Sequence, residues 1–563
     1  MKKSITTFIL ILVSIVGANA QDWNEMIKLV SSDRAVDDYL GYTVSIDGDR
    51  AAVTAILEDE NVSGNNTMES AGAVYIFEMN NGVWMESAKL VASDRGADDR
   101  FGSRVSLDGD RIIIGAFQED EDVFGGATLT DAGSAYIFDL VGNVWTETAK
   151  LVASDRAVGS RFGFDVDLNG EKALIGAYQN ATNESGGLPL PGSGAVYAFE
   201  LIGGVWVETQ KIVASDRSGS YLFGYSLSMN ENTAVIGSYR NAYDALGLNP
   251  MSESGAAYVF EHVGGVWLET EKLVASDRWN GDWFGFNVSI SDKIVIGAPK
   301  EDHGASGGNT ANNAGSVYVF ELDGGVWTET AKLTSSDREE NDEFGRSTAI
   351  SGNTLIVGAQ FEDEDLFGGN NAASSGSAYV YELVGGSWTE ISKLVASDRG
   401  ADDRFGSSVD ISGNKVIIGA VFSDDDELNS NFLNDAGSIY VFNTCYNDPP
   451  IFLNGSTLTT SVTGVYYQWY DCDTDAVIVS ENGETYVPTV DGNYAVIITE
   501  GNCVDTSQCL TVSNVGIKDS EGLSNFLIYP NPVKNQLKFN GIELVEEITI
   551  LNSQGKTIEK IKD

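Results

Sequence analysis

The side chains able to do chemistry in this 563-residue chain are overwhelmingly carboxylates: 83 Asp and Glu stand against 34 Lys and Arg, with two histidines, four cysteines and a formal net charge of −49. Acid in this quantity has three uses. A pair of carboxylates in unlike surroundings can run acid and base chemistry on a glycoside or ester. A dense run of oxygens can hold calcium, and such runs stand at Glu58-Asp59-Glu60, Glu119 to Asp122, Glu362 to Asp365 and Asp424 to Glu427. A solvated, mutually repelling surface is the third use and explains the runs first, because screening beyond about 8 Å lets them coexist without metal. His262 and His303 supply little for imidazole chemistry, and each reads as an exposed loop residue without a fixed partner. The charge excludes nucleic acid as a partner. Disorder is excluded by 42% apolar and 10% aromatic residues.

A repeat places these carboxylates. The segment Lys-Leu-Val-Ala-Ser-Asp-Arg, or its equivalent, starts at Lys28, Lys89, Lys150, Lys211, Lys272, Lys332 and Lys393, in steps of 61, 61, 61, 61, 60 and 61 residues. So regular a period marks an array whose units bury apolar faces against one another. Four strand signals recur per unit; in the second they lie at Phe101 to Leu107, Ile112 to Ala116, Ala135 to Phe138 and Val144 to Lys150, mostly separated by glycine-containing turns. Seven such units predict an all-β, seven-bladed propeller over residues 21–444. The seventh unit lacks its fourth strand, and Asp22 to Lys28 matches it, with Trp23 lying 61 residues before Trp84. The N-terminal strand is therefore expected to complete the last blade and close the ring. The Asp-Arg pair recurs from Asp33-Arg34 to Asp398-Arg399 in all seven units. A catalytic pair is needed once, so seven copies read as an inter-blade staple.

In such a blade, the loop between the second and third strands and the blade-to-blade connector emerge on one face. In the second unit those segments hold eight carboxylates against two arginines, and the remainder holds four against three basic residues. The acidic face is accordingly the candidate ligand surface, through Asp98, Asp99, Glu119, Asp120, Glu121, Asp122, Glu362, Asp363, Asp424 and Asp425. Trp279 and Trp283, aromatic in one connector only, offer a stacking platform for sugar or a protein side chain, or else local packing. No unit holds a unique nucleophile, base and oxyanion donor, so no catalytic residue is assigned.

Phe-Gly stands in phase at 101–102, 162–163, 223–224, 284–285, 344–345 and 405–406, with Leu40-Gly41 as a diverged copy, followed by Gly-Ala at 115–116, 176–177, 297–298, 358–359 and 419–420. These motifs resemble the FG-GAP repeat of integrin alpha subunits and many exported bacterial proteins. The resemblance implies a propeller that meets ligands on its long-loop face. Its calcium loop between the first and second strands is not carried over, because that connection here is a tight turn such as Asp108-Gly109-Asp110.

The two ends give an address. Lys2-Lys3, the apolar run Phe8 to Val16 and Ala18-Asn19-Ala20 before Gln21 read as a signal peptide over residues 1–20, cleaved between Ala20 and Gln21. No later segment is apolar enough to span a bilayer. Cys445, Cys472, Cys503 and Cys509 favour disulfides in an exported chain, with three pairings open. Residues 445–513 resemble a small immunoglobulin-like β-sandwich. Residues 514–563, with Tyr529-Pro530-Asn531-Pro532, resemble the type A sorting domain of the type IX secretion system of Bacteroidetes, which implies that machinery as a partner and release or attachment at the outer surface; the chain stops at Asp563, before that family's final strands. The expected protein is a secreted or surface-attached binder or adhesin for an extracellular protein or glycan, with calcium as its conceivable ion. The alternatives are a propeller hydrolase acting on carbohydrate or ester, and a passive envelope or matrix component.

Overall fold

The computed structural model describes residues 23–444 and 449–513, apart from isolated positions, together with four short strands between 527 and 562. The cleavage point at Ala20 and Gln21, Glu427 and Cys445 lie outside the described residues. All regular structure described is β, and none of it is a helix able to cross a membrane.

Seven four-stranded antiparallel sheets follow one another, one per repeat, in the pattern of a seven-bladed propeller. In the second repeat the strands are Phe101–Asp108, Arg111–Ala116, Ser134–Val141 and Val144–Leu151. A two-residue turn joins the first pair, with Gly109 at φ 59° as such a hairpin requires. Ala135-Tyr136-Ile137-Phe138 is apolar without alternation because both of its faces are covered. The fourth strand alternates, with one face outward. Trp23–Leu29 pairs with Ser438–Thr444, so the chain's first strand supplies the last sheet's fourth. Each first strand packs on the next blade's first strand, and Leu40–Asp47 packs on Phe405–Ser412 in the same way.

The cores lie between blades. Phe101 meets Tyr136 and Phe138 edge to face at 5.4 and 6.0 Å, and packs with Val74 and Ile76 of the preceding blade. Burying one such ring contributes about 2–3 kcal/mol. Glycine lets the backbones meet there: at Gly133 (φ 86°) a Cβ would lie 1.9 Å from the carbonyl oxygen of Phe162.

Beyond the propeller, Ile451–Asn454, Thr457–Thr460 and Thr485–Tyr486 form one sheet, and Leu510–Val512 pairs with Gly492–Glu500 in another. Trp469 is fully buried, and Cys472 is joined to Cys509. The described strands of the last segment form two hairpins, Leu527–Tyr529 with Lys538–Asn540 and Glu547–Leu551 with Thr557–Lys562.

Candidate functional site

Each Ser-Asp-Arg copy ties a connector to both blades it joins. Asp94 accepts hydrogen bonds from Tyr136 (2.8 Å) and Lys150 Nζ (2.6 Å) of the following blade. Arg95 donates to the carbonyl of Asp59 (2.8 Å) in the preceding blade's long loop. Asp and Arg therefore act as a staple by pulling in opposite directions, not by pairing with each other. The lysine contact recurs at 2.6 or 2.7 Å in all seven repeats, from Lys28–Asp398 to Lys393–Asp337. Sequence reasoning misses this lysine, although it opens the same repeated segment and, except for Lys28 of the N-terminal strand, stands 55 or 56 residues after the aspartate it meets.

Behind the staple the copies divide. Glu58, Glu119, Glu301 and Glu362 are buried at 3.2 or 3.3 Å from the repeat's lysine. Asn180 and Asn241 replace the glutamate at 3.0 and 3.1 Å from Lys211 and Lys272, and Ser423 does so beside Lys28. Wherever glutamate is present, a connector aspartate is buried against it. Burial, reinforced by the glutamate's charge, pushes Asp99 and Asp282 up to about 8 and Asp38 and Asp342 up to about 7. The asparagine repeats have Ser160 and Tyr221 at that connector position.

This geometry redistributes the acidic candidates. Glu119 and Glu362 are interior residues held by lysine and tyrosine, and Asp99 is buried beside Glu119, accepting the N–H of Gly96. Asp120, Asp363 and Asp424 accept the N–H of Asp131, Ser374 and Asp435 across their own loops, at 2.8, 2.6 and 2.8 Å. Asp122 caps a loop tip, accepting from Phe124 and Gly126. Asp98 is exposed, and Glu121 and Asp425 are half-buried. Among the described residues, Asp337, Glu362 and Glu364 bring oxygens within 4.8 Å of one another, but Lys393 already stands 2.6 Å from Asp337 and 3.3 Å from Glu362. The integrin-type calcium loop does not fit either: the turn at Gly109-Asp110 is two residues long, and Asp110 lies 3.0 Å from Arg50.

The first strands line an axial cavity of about 210 Å³. Its carboxylates are those an axial hydrolase would use, since burial raises Asp165 and Asp167 to about 6 and Asp410 to about 7. All three are engaged as bridges between blades. Asp165 accepts from Leu227 N–H (2.7 Å), Asp167 from Met229 N–H (2.6 Å) and Asp410 from Ile46 N–H (2.7 Å). Ser45 and Ser106 do the same for Leu107 and Leu168.

At one end of this cavity the copies cease to resemble one another. The residue before each Phe-Gly, or before Leu40-Gly41, is left-handed in all seven repeats: Tyr39, Arg100, Arg161, Leu222, Trp283, Glu343 and Arg404, with φ from 55° to 62°. Each bulky side chain there costs about 1–2 kcal/mol relative to an unstrained backbone, and strain of this kind gathers at functional sites. Inter-blade hydrogen bonds hold the conformation, as from Arg161 N–H to Asp131 O (3.0 Å). Phe164, Tyr178, Tyr225, Tyr239, Trp283 and Phe286 form a ring cluster with neighbouring centroids 4.4–5.8 Å apart. Cations lie over these and adjoining rings: Arg104 over Tyr42 and Phe164, Arg161 over Tyr178, Arg346 over Phe286, Lys300 over Trp283 and Arg404 over Phe422, at 4.4–5.9 Å. Trp283 thus belongs to the mouth and also donates to Glu253 (3.1 Å). Trp279 is 53% exposed and faces His303 at 6.4 Å.

Both histidines have partners, contrary to expectation. His303 Nδ1 lies 2.9 Å from Glu301, and His262 sits on the strand Ala256–Val263, against Trp267 and 3.1 Å from Glu200. Neighbouring strands fix His262 there, which its isolated position in the sequence does not reveal.

Seven four-stranded units arranged about an axis, with uniform staples outside and divergent side chains at the axial mouth, define a β-propeller repeat protein. The FG-GAP repeat family matches residues 23–77, 84–138, 145–199, 206–260, 267–320, 327–381 and 388–442, and the chain belongs to that family. A comparison with curated proteins found no match.

Proposed function

We propose that the chain is an exported, non-enzymatic binding protein whose long-loop propeller face engages an extracellular protein or glycan at the end of the axis. The observation that carries this reading is the contrast between repeats: the staple is the same in seven copies, whereas the residues round the mouth differ from copy to copy, as a surface shaped for one ligand requires. A closed ring, supported by the pairing of Trp23–Leu29 with Ser438–Thr444, gives that surface a rigid mount. The ends supply the address. The signal-peptide pattern of residues 1–20 and the Tyr-Pro-Asn-Pro signature favour release or attachment at an outer surface, and the module around buried Trp469 and the Cys472–Cys509 bond serves as an immunoglobulin-like spacer. Binding rather than turnover is favoured because Asp165, Asp167 and Asp410 all accept backbone N–H groups.

A glycan and protein array probed with the mature chain, with and without chelator, tests the reading. Saturable retention of one ligand class is expected. Turnover of a polysaccharide panel that disappears in Asp165→Asn or Asp410→Asn would replace it with the hydrolase.

A further inference from the structure

We propose that the axial mouth is a site for an anionic saccharide, a pyranose ring bearing a carboxylate or sulfate. This rests on the binding reading above and narrows its ligand.

The first argument is local charge. In a chain of net −49, Arg104, Arg161, Arg346, Arg404 and Lys300 gather at one end of the axis. Their counter-charges are incomplete. Glu343 is shared among Arg346, Lys300 and Arg404, Asp165 lies 3.5 Å from Arg104, and Asp402 and Asp435 also act on Arg404. Arg161 donates to the neutral hydroxyl of Tyr178 (3.0 Å), so its nearest hydrogen-bond partner brings no counter-charge. A half-buried guanidinium short of counter-charge is matched by a carboxylate or sulfate, whose oxygens accept its N–H groups in pairs.

The second argument is shape. Phe164, Tyr225, Trp283 and Phe286 are half-buried in front of buried Tyr178 and Tyr239, and leave ring surface for a partly apolar ligand, which a pyranose ring supplies and an acidic peptide does not. The third is the surrounding acid. Exposed carboxylates such as Asp98 repel a long polyanion before it reaches the mouth, so a short oligosaccharide or a chain end carrying one or two charges is favoured over an extended polymer.

Calorimetric titration of the full mature chain at low ionic strength tests this, using trigalacturonate, a sulfated disaccharide, a neutral trisaccharide and an acidic hexapeptide as probes. Binding of at least one anionic sugar is expected, with none of the neutral sugar at the same concentration. Arg161→Gln and Arg404→Gln should each weaken it about tenfold or more without changing the melting temperature, and Arg161→Lys, which keeps the charge but not the paired donors, should recover only part of the loss. Should Arg404→Gln fail to fold, Lys300→Gln takes its place. The proposal is overturned if no anionic sugar binds, if the neutral sugar or the peptide binds as tightly, or if the variants leave affinity unchanged. An array ligand whose retention ignores these variants would sink this proposal while leaving the binding reading intact, whereas an array without a ligand would sink that reading first.

Discussion

The staple around each connector and the mouth of the axis are built by the same repeats under opposite rules. At the staple every copy keeps Asp, Arg and Lys, and the distances barely change from 2.6 to 2.7 Å. At the mouth the backbone is equally constant, with seven left-handed residues, yet the side chains on it are Tyr, Arg, Arg, Leu, Trp, Glu and Arg. The fixed backbone there carries side chains with no shared duty, from buried Leu222 and Glu343 to half-buried Arg161 and Trp283. Seven copies of one unit thus let the molecule be compared with itself, separating what holds the blades together from what they present.

The comparison predicts unequal damage from the same substitution. Lys150→Met leaves fully buried Glu119, besides the part-exposed Asp94, without a cation and should cost about 3–5 kcal/mol. Lys211→Met leaves neutral Asn180 and the part-exposed Asp155, and should cost about 1–3 kcal/mol. Melting temperatures of the two variants check this, and equal losses would mean that the buried glutamates are not charged partners of the lysine. Glycines give a second contrast. Gly109→Ala meets only the left-handed penalty, since nothing lies within 4 Å of its Cβ, whereas Gly133→Ala adds the collision with Phe162. The excess loss at Gly133 should be about 1–3 kcal/mol by denaturant unfolding.

Much of this frame is legible in the sequence because repetition turns weak strand signals into a period. The 61-residue step places four strands per blade, and seven Asp-Arg pairs can be read as a staple without knowing their partners. The lysine–tyrosine–glutamate backing is less visible, because its members stand 56, 42 and 17 residues from the groups they meet and only the fold aligns those spacings. The acidic loops mislead for a related reason: Glu119 and Glu362 look like surface charge, yet a lysine from the fourth strand draws them inside. Least legible is the mouth. Nothing in Tyr39, Arg161 or Trp283 announces a left-handed backbone, which is imposed by hydrogen bonds from the neighbouring blade.

The buried acids set a pH dependence whose sign differs between two positions of the connector. Asp99 and Asp282 are raised to about 8, so the folded state keeps protons that the unfolded chain loses above about 4; their stabilising contribution falls as pH rises from there through about 8. Asp155 and Asp277 are lowered by hydrogen bonds from lysine and tyrosine that outweigh their burial, so their contribution is present at neutral pH and lost on acidification below the usual aspartate range. Melting scans should show decline on both sides, and Asp99→Asn should flatten the alkaline side alone. An unchanged alkaline limb would show that Asp99 does not hold its proton.

The smallest effect is expected where neither rule applies. Phe124 and Phe367 stand at loop tips, 91% and 92% exposed, on turns closed by Asp122 and Asp365. Because each ring is already in water, Phe124→Ser or Phe367→Ser should alter stability by less than about 0.5 kcal/mol. A ligand confined to the mouth should bind these variants as it binds the parent. Lost affinity at an unchanged melting temperature would instead extend the recognition surface from the axis to the rim, since an exposed apolar ring that contributes nothing to folding can affect binding only by touching the ligand.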